Sequence, residues 1–394
     1  MRIVQSFRRF RFEDGGVVRA VIDLSCELAR VGHEVTVLTA DASDFPTAPD
    51  REAAAWPEVV EDPGLAHGAR MMLPGATIPS SARSVIETAD VVHLHTPWDP
   101  VNIAVARDAR ALGVPYVVSP HGMLDDWSMA QKKLKKRLFL ALGASRMLNG
   151  ASAVHCTAEA ERSQAKRWFP GTKGVAIPLV FDVTPFERLP GPEEARGAFP
   201  QAFDGAPGPR VLFLSRLHYK KGPDIFLEVL AGLRDLGLDV TGVLAGPGEA
   251  AYERELRQRA DDLGVADQAF FVGHVGGTLK LSLYQACDVM ILPTSQENFG
   301  FVFLESMACR TPLVTTYGVD THPELKASGG AVIAERDPQR LAEAAAGLLR
   351  DSDRLGEAAE AGRAWTLEQF APGRVAEGYV EMYHDARARS GGAV

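Results

Sequence analysis

One strand–turn–helix–strand stretch in the C-terminal half constrains the fold more than any other part of the chain. Residues 288–293 are an apolar run typical of a buried strand, residues 303–310 have the pattern of a helix, and residues 312–316 are a second apolar run. This order predicts a βαβ unit with parallel strands. Glu297 and Gly300 then lie where a strand ends and a helix begins, which is where open α/β sheets bind ligands.

The turn in this stretch has the chemistry of a sugar or phosphate site. The start of a helix offers free backbone N–H groups and a favourable dipole to a phosphate, and Gly300 lets the backbone approach a ligand closely. The carboxylates of Glu297 and Glu305 lie on either side of the turn and can accept hydrogen bonds from sugar hydroxyls.

The spacing of these residues resembles a known family. Two glutamates separated by seven residues, with an Asn-Phe-Gly sequence between them, are similar to the motif of glycosyltransferase family 4, the retaining GT-B transferases. The resemblance implies an α/β fold of two Rossmann-like domains whose parallel sheets face a central cleft. It also implies that Glu297 holds donor-sugar hydroxyls and that Glu305 holds the ribose hydroxyls. Further donor contacts are implied for the turn residues Asn298, Phe299, Gly300 and Phe301.

Length and composition fit a two-domain enzyme. A chain of 394 residues is too long for one typical core, and its 46% hydrophobic and 24% charged residues are ordinary for a globular protein. The net charge of −9 gives no general attraction to nucleic acid. The sequence shows neither the apolar core of a signal peptide nor a membrane-spanning run. The four cysteines are far apart, so we expect reduced thiols in a cytoplasmic protein.

The N-terminal half alternates strands and helices. A strand at residues 3–6, a helix with its core residues three or four positions apart, and a strand at residues 34–39 predict one βαβ unit. Residues 41–69 show no period and are predicted to be an irregular insertion. The remaining strands of this half are predicted at residues 91–95, 115–119, 153–157 and 175–178.

The Gly15–Gly16 pair follows the first strand and has two interpretations. It is either a turn that needs positive φ or a loop whose backbone faces the donor phosphate or the acceptor. The family resemblance favours the second and makes Gly16 a donor-binding residue. The pair does not form the Gly-x-Gly-x-x-Gly fingerprint, and this disfavours a nicotinamide-dinucleotide dehydrogenase.

Two histidines, His95 and His121, are predicted at the carboxyl ends of neighbouring strands. A single histidine is more often structural than catalytic. His121 is the stronger candidate because Gly122 follows it, and the family resemblance places a histidine here against the donor sugar.

Residues 131–142 combine a leucine stripe with five basic residues. Leu134, Leu138 and Leu142 share a helical face, and the surrounding basic residues are Lys132, Lys133, Lys135, Lys136 and Arg137. One interpretation is a solvated helix that covers the domain. The other is a peripheral contact with anionic lipid at the inner face of the membrane, or with an anionic acceptor.

A proline-rich segment separates the two halves. We predict an N-terminal acceptor-binding domain at residues 1–184, a linker with a short helix at residues 185–209, and a donor-binding domain at residues 210–374. Residues 375–394 are predicted to include a helix that crosses back to the first domain.

The second domain begins with a strand that ends near Arg216, and Lys221 precedes a glycine at the next helix. A guanidinium and an ammonium that converge can hold a diphosphate. The spacing alone is a weak signal, and the family resemblance strengthens it. The resemblance further implies donor contacts at Gly246 and at His274 and Val275, the last two by backbone groups at the base.

The predicted reaction is the retaining transfer of a hexosyl group from a UDP- or GDP-sugar to a hydroxyl of a sugar or lipid-linked acceptor, in the synthesis of polysaccharide, glycolipid or another glycoconjugate. Arg216, Lys221, Glu297 and His121 are the catalytic candidates. No cofactor is implied and no metal is expected, because the two cations can neutralise the leaving diphosphate. The alternatives are a sugar-nucleotide epimerase of the same shape and a non-catalytic nucleotide-sugar-binding protein.

Overall fold

The chain forms two units. The computed structural model describes residues 1–48, 55–71, 76–205, 208–371 and 373–391. Unit 1 comprises residues 1–182 and 370–394, and unit 2 comprises residues 183–369. Parts of the predicted insertion, linker and C-terminal segment lie outside the described residues, namely 49–54, 206–207 and 392–394.

Unit 1 contains a seven-stranded parallel sheet. Its strands are β1 (Arg2–Ser6), β2 (Glu34–Thr39), β3 (Glu58–Glu61), β4 (Val91–His95), β5 (Tyr116–Ser119), β6 (Ala153–Cys156) and β7 (Gly174–Ala176). Their order is β3-β2-β1-β4-β5-β6-β7, and every neighbouring pair is parallel. Because the chain order reverses between β1 and β4, the carboxyl ends of these strands form a topological switch point.

Helices connect the strands of unit 1 and pack an apolar face on the sheet. The sequence pattern predicts a core stripe of Val17, Val21, Leu24, Leu28 and Val31 for the first helix. Val21, Leu24 and Leu28 are buried as predicted, whereas Val17 is only partly buried and Val31 is exposed. The α-helices are Gly16–Arg30, Gly68–Met71, Ser80–Glu87, Pro100–Ala111, Asp126–Ala130, Lys133–Phe139, Ser145–Asn149, Glu159–Ala165 and Arg374–Gly391. Shorter turns of other helical types are Phe12–Asp14, Pro63–His67, Leu140–Ala144 and Lys166–Trp168.

The predicted irregular insertion contains regular structure, so that prediction was wrong. Strand β3 extends the sheet beyond β2, with Val37 opposite Val59 and Leu38 opposite Val60. The strand is an edge strand without a buried residue, and glutamates occupy both of its ends. Backbone hydrogen bonds to β2 hold this strand in place. Such bonds do not require apolar and polar residues to alternate, so no pattern in the sequence predicts the strand.

Unit 2 contains a six-stranded parallel sheet. Its strands are β8 (Arg210–Leu214), β9 (Thr241–Ala245), β10 (Ala269–Gly273), β11 (Val289–Leu292), β12 (Leu313–Thr316) and β13 (Ala331–Ala334). Their order is β10-β9-β8-β11-β12-β13, again with parallel neighbours throughout. Strands β9, β11 and β12 are buried along their whole length, and β11 accordingly appears as a continuous apolar run. The chain order reverses between β8 and β11.

The segment predicted to be a linker packs on unit 2. The backbone N–H of Ala195 donates to Ser282 Oγ over 3.0 Å, and that of Gly191 donates to Gln285 Oε1 over 3.1 Å. The predicted short helix at Glu193–Ala198 is confirmed. The α-helices of unit 2 are Thr184–Glu187, Glu193–Ala198, Pro200–Phe203, Pro223–Asp235, Ala250–Asp262, Gly277–Ala286, Phe301–Ala308, His322–Ala327, Pro338–Leu349 and Ser352–Gln369.

Candidate active site

Gly300 forms the turn between β11 and the helix Phe301–Ala308, as predicted, although the helix begins two residues earlier than expected. It is the N-cap residue, with φ of +73°, a left-handed conformation that glycine adopts without strain. A Cβ at this position would lie 2.4 Å from the ring of Phe303 and 3.1 Å from Cγ of Glu297. Both the conformation and the packing therefore require glycine.

Lys221 and Glu297, which we predicted to bind different parts of the donor, form an ion pair with each other. Both side chains are largely buried, with exposed fractions of 14% and 20%. The backbone fixes Glu297, because its N–H donates to the Gly318 carbonyl over 2.9 Å and its own carbonyl accepts from Asp320 over 2.9 Å. The loop after β11 thus places the carboxylate of Glu297 beside Lys221, and this ion pair holds the lysine side chain.

Arg216 differs from Lys221 because no ion-pair partner holds it within the described part of the chain. It follows β8, and its side chain is exposed. A guanidinium in this state can form a forked contact with a diphosphate without first breaking an internal bond. The neighbouring Gly246 has φ of +137°, and a Cβ there would lie 1.9 Å from the carbonyl oxygen of Ser215. Close packing of two strand ends explains this glycine.

Glu305 has two side-chain partners that the sequence analysis missed. Lys280 Nζ lies 2.7 Å from its Oε1, and Tyr284 donates from its hydroxyl to Oε2 over 3.1 Å. Both partners project from the helix Gly277–Ala286, four residues apart, and this spacing is the one signal that could have paired them. Burial raises the pKa of Tyr284 well above its usual range, so its hydroxyl stays a donor.

The remaining predicted donor contacts of unit 2 divide into side chains and backbone. Asn298 donates to Asp320 Oδ2 over 3.2 Å, and the rings of Phe299 and Phe301 pack edge to face at 5.3 Å. After β10, His274 is exposed and Val275 is buried in the core. The side chain of Val275 is therefore not available to a ligand, and the implied backbone contact stays a prediction.

In unit 1 the conformational requirement of the glycine pair falls on Gly15. Its φ is +101°, and it is the N-cap of the helix Gly16–Arg30. Gly16 is exposed, and a Cβ there would meet no atom of the described chain within 4 Å. Protein packing therefore does not explain a glycine at position 16, which leaves room for the predicted ligand contact.

His121 occupies a strained turn after β5. Its φ is +51°, Gly122 follows with +73°, and Thr96 after β4 has +76°. Left-handed conformations of non-glycine residues cost about 1–3 kcal/mol each and concentrate at functional sites. The buried carboxylate of Glu161, which the sequence analysis missed, accepts a hydrogen bond from the Gly122 N–H over 2.6 Å and so holds this turn.

His95 is buried beneath His121, so the two candidates are not equivalent. Its Nδ1 lies 3.0 Å from Nε2 of His121, and the two rings are stacked with centroids 5.3 Å apart. Burial lowers the pKa of His95 well below its usual range and that of His121 to about 3. Both imidazoles are therefore neutral at physiological pH, and only His121 is partly exposed.

The leucine stripe of the basic segment faces away from unit 1. Leu134, Leu138 and Leu142 are 82%, 61% and 55% exposed, so the helix is solvated, as the first interpretation predicts, but its leucines do not cover the domain. The helix Lys133–Phe139 also ends earlier than expected, where a π-helical turn follows. Of the five basic residues, Lys136 is tied to the domain, because its Nζ donates to the Ser128 carbonyl over 2.6 Å.

The described residues contain no cluster of three or more His, Cys, Asp or Glu side chains that could hold a metal ion. All four cysteines are free thiols. Within the described ranges, none of the helices has the length and hydropathy that crossing a bilayer requires.

Comparisons with known proteins match both halves of the chain to glycosyl transferase families. Residues 15–179 match the glycosyl transferase 4-like domain, and residues 202–365 match glycosyl transferases group 1. The chain is 34% identical over 176 residues to the lipopolysaccharide core biosynthesis mannosyltransferase LpsB of Rhizobium meliloti, a match that spans 43% of this chain and 49% of that protein. It is 28% identical over 352 residues to the GDP-mannose-dependent alpha-(1-6)-phosphatidylinositol monomannoside mannosyltransferase of Mycobacterium tuberculosis, with 86% of each chain covered.

A solved structure shares the fold. Anabaena HepE in complex with UDP aligns with a TM-score of 0.78 and 19% identity, over 98% of this chain and 100% of that one. This likeness confirms the predicted GT-B fold of two Rossmann-like units.

Proposed function

We propose a specific reaction on the premise that the chain belongs to the glycosyl transferases group 1 family and is a hexosyltransferase that uses nucleotide-sugar donors. In this reaction it moves a hexosyl group from a UDP- or GDP-sugar to an acceptor hydroxyl with retention of anomeric configuration. Two relatives support this choice of donors, since HepE was solved with UDP and the mycobacterial enzyme is described as GDP-mannose-dependent. Both curated relatives are named for work on lipopolysaccharide core or phosphatidylinositol mannoside. We therefore propose a role in glycolipid or polysaccharide synthesis.

The observation that carries the proposal is the exposed Arg216 at the carboxyl edge of the sheet of unit 2. Cleavage of the anomeric C–O bond builds negative charge on the departing diphosphate. Arg216 and Lys221 stabilise that charge, together with the dipole at the start of the helix Phe301–Ala308. The two cations supply the neutralisation that a divalent ion provides elsewhere, and we propose a metal-independent reaction.

Glu297 and Glu305 hold hydroxyls in this scheme and do not act as a nucleophile and an acid. Each carboxylate already accepts from a lysine, Glu297 from Lys221 and Glu305 from Lys280, so the geometry presents both as hydrogen-bond acceptors. Front-face attack by the acceptor hydroxyl, with the departing phosphate taking its proton, gives retention without a carboxylate nucleophile. Glu297 orients the donor sugar, and Glu305 orients the ribose.

Release of nucleoside diphosphate from UDP-glucose and GDP-mannose, with and without an acceptor panel and EDTA, tests the proposal. We expect acceptor-dependent release that EDTA does not abolish, and a product that keeps the donor's anomeric configuration. Arg216→Ala should lower kcat by about 10²–10³-fold. The exposed Arg254→Ala is the matched control and should turn over normally. Epimerisation or hydrolysis without an acceptor, or full turnover by Arg216→Ala, would contradict the proposal.

The exposed leucine stripe fits a lipid-linked acceptor. Leu134, Leu138 and Leu142 can enter the interfacial region of a bilayer, while the basic residues beside them meet anionic headgroups. The basic residues of this segment contrast with the overall charge of −9. We propose peripheral attachment to the cytoplasmic face of an anionic membrane. The exposed basic residues are Lys132, Lys133, Lys135 and Arg137.

Vesicle flotation separates the two contributions to this attachment. The protein should float with vesicles that contain phosphatidylglycerol and should stay unbound with pure phosphatidylcholine. Leu134→Ser with Leu138→Ser should abolish flotation, and so should replacement of the four exposed basic residues by glutamine. Tyr219→Ser, which removes an exposed aromatic from unit 2, is the matched control. Undiminished flotation of both variants would refute the attachment.

A further inference from the structure

A series of buried hydrogen bonds begins at His121 and runs beneath the sheet edge of unit 1. Nε2 of His121 is 3.0 Å from Nδ1 of His95, whose Nε2 is 2.7 Å from Oε1 of Gln5. The amide nitrogen of Gln5 is 3.3 Å from the hydroxyl of Tyr383, which lies on the helix Arg374–Gly391. Residues far apart in the sequence thus meet at one edge of the sheet.

The series continues from Tyr383 to a backbone carbonyl. The hydroxyl of Tyr383 is 2.7 Å from Nδ1 of His93, and Nε2 of His93 is 2.6 Å from Oγ of Ser119. Ser119 Oγ is also 2.6 Å from Nδ1 of His155, and Nε2 of His155 is 2.8 Å from the carbonyl oxygen of Ile177. We call the connected side chains the histidine relay: Gln5, His93, His95, Ser119, His121, His155 and Tyr383.

The carbonyl of Ile177 sets the direction of the half of the relay nearest to it. A carbonyl oxygen can only accept, so neutral His155 must carry its proton on Nε2 and accept on Nδ1. Ser119 then donates to His155 and accepts from Nε2 of His93. Nδ1 of His93 is left as an acceptor, and Tyr383 must donate to it.

The same direction passes through Tyr383 to His121. The phenolic oxygen of Tyr383 accepts from the amide of Gln5, which places the amide oxygen of Gln5 opposite Nε2 of His95. His95 then carries its proton on Nε2 and accepts on Nδ1. The remaining donor for that nitrogen is Nε2–H of His121. In the opposite direction Nε2 of His155 would carry no proton, and its lone pair would face a lone pair of the Ile177 carbonyl oxygen.

We propose that Gln5, His95 and Tyr383 are positioning residues, and that the histidine relay holds His121 as the tautomer protonated on Nε2, with the lone pair of Nδ1 presented to the substrate. All four imidazoles of the relay are then the same Nε2–H tautomer.

The environment keeps the relay neutral, as this argument requires. Burial lowers the pKa of His93 and His95 well below the usual range and that of His155 to about 4. The rings of His93 and His95 lie 4.2 Å apart, centroid to centroid, where two cations would repel each other. Neutral imidazoles each offer one donor and one acceptor, which is what gives the relay a single direction.

A fixed lone pair determines what His121 can bind. Nδ1 of His121 makes no hydrogen bond to another residue in the described ranges, and the ring is partly exposed. A neutral acceptor binds a hydroxyl and does not bind a phosphate or carboxylate. This inference rests on the proposed function, since it assigns His121 to a hydroxyl of the sugar substrate.

Nitrogen-15 NMR of histidine-labelled full-length protein reads the tautomers directly, without substrate. Neutral imidazole nitrogens with and without a proton have well-separated shifts, and the signals are assigned by single His→Gln variants. We expect His93, His95, His121 and His155 each to be protonated on Nε2 alone near neutral pH. Protonation of His121 on Nδ1 would overturn the proposal.

Two single-atom deletions test the order of the relay. Tyr383→Phe separates His95 and His121 from the Ile177 carbonyl, so these two should show mixed tautomers while His93 and His155 stay unchanged. Ser119→Ala cuts the relay closer to the carbonyl, so only His155 should stay fixed. An unchanged His121 in Tyr383→Phe would overturn the proposal.

Tyr379→Phe is the matched control. Tyr379 lies one helical turn from Tyr383, is equally buried, and donates to the Pro178 carbonyl instead of to the relay. All four tautomers should be unchanged in this variant, and mixed tautomers there would point to helix packing as the cause.

Kinetics connect the relay to the substrate. In Tyr383→Phe we expect kcat/KM for the donor to fall roughly two- to tenfold, the value of one misdirected hydrogen bond, and in Tyr379→Phe we expect no fall. Because the NMR measurement needs no turnover, a protein that transfers no sugar but shows the four expected tautomers would refute the proposed function and leave the relay standing.

Discussion

Acidification from about pH 7.5 to about pH 5 is expected to destabilise unit 1 strongly, because four histidines are buried there in neutral form. An unfolded histidine titrates near pH 6.5. Burial keeps the folded-state pKa of His121 near 3, that of His155 near 4, and those of His93 and His95 well below the usual range. In this pH interval the unfolded chain therefore binds protons that the folded unit does not. The stabilisation is complete above about pH 6.5 and is lost as the pH falls toward the folded-state values.

The size of the effect follows from proton linkage. At about pH 5 each histidine favours the unfolded state by about 2 kcal/mol relative to pH 7.5, so four contribute roughly 8 kcal/mol. Asp23 opposes them, since burial raises its pKa to about 6 and its folded form takes up a proton in the same interval, which returns about 1 kcal/mol. Asp99, whose pKa burial also raises, acts in the same direction as Asp23. The net loss is comparable with the whole stability of a typical domain, about 5–15 kcal/mol.

Urea unfolding followed by pulsed hydrogen exchange and mass spectrometry measures this loss separately in each unit. Peptides from Val91–His95 report on unit 1, and peptides from Val289–Leu292 report on unit 2, which is the internal control. His155→Gln should remove about 2 kcal/mol of the pH-dependent loss, whereas the exposed His67→Gln should not change it. A loss in unit 1 below about 2 kcal/mol, or an equal loss in both units, would refute the assignment of four neutral buried histidines.

Three substitutions test the glycines and the nucleotide contact. Gly300→Ala should lower the urea stability of unit 2 by more than about 1 kcal/mol, because the new Cβ meets the ring of Phe303 and φ is positive; an unchanged midpoint would contradict this. Gly16→Ala should leave the unfolding midpoint of unit 1 unchanged, since its Cβ meets open space, and should raise KM at least severalfold; an unchanged KM would remove the ligand contact. Glu305→Gln weakens the contact with Lys280 and should raise donor KM about tenfold with little change in kcat, as loss of one charged hydrogen bond predicts; a fall confined to kcat would exclude a ribose-binding role.

Local sequence determined most of the fold. Strand β11 is buried on both faces, so it appears as a continuous apolar run whose ends coincide with the structure to within a residue. The position of Gly300 could be predicted because it lies between the apolar run of β11 and the helical pattern that follows it. Strand β3 could not be predicted, because its sequence mixes polar and apolar residues and its conformation depends on pairing with β2.

Contacts between distant residues account for what the sequence analysis missed in the site. Arg216, Lys221, Glu297 and Glu305 could be selected from their residue types together with the family resemblance, but the pairing of Lys221 with Glu297 joins positions 76 apart. The relay is a stronger case, because Gln5 and Tyr383 are 378 positions apart and neither is part of a motif. Such pairs depend on the register of the sheet and on the packing of the last helix, which no local pattern encodes.

The carboxyl edges of the two sheets differ in charge, and we assign them different roles in substrate binding on that basis. The edge of unit 2 presents Arg216 and Lys221, which suit the diphosphate, the donor group that always carries negative charge. The edge of unit 1 presents the neutral His121, which cannot neutralise a phosphate but can accept from a hydroxyl. Because a neutral acceptor costs much less to desolvate than a charge, it can pack closely against a sugar. Loss of Arg216 should therefore slow every donor alike, whereas changes around His121 should alter which sugar is accepted.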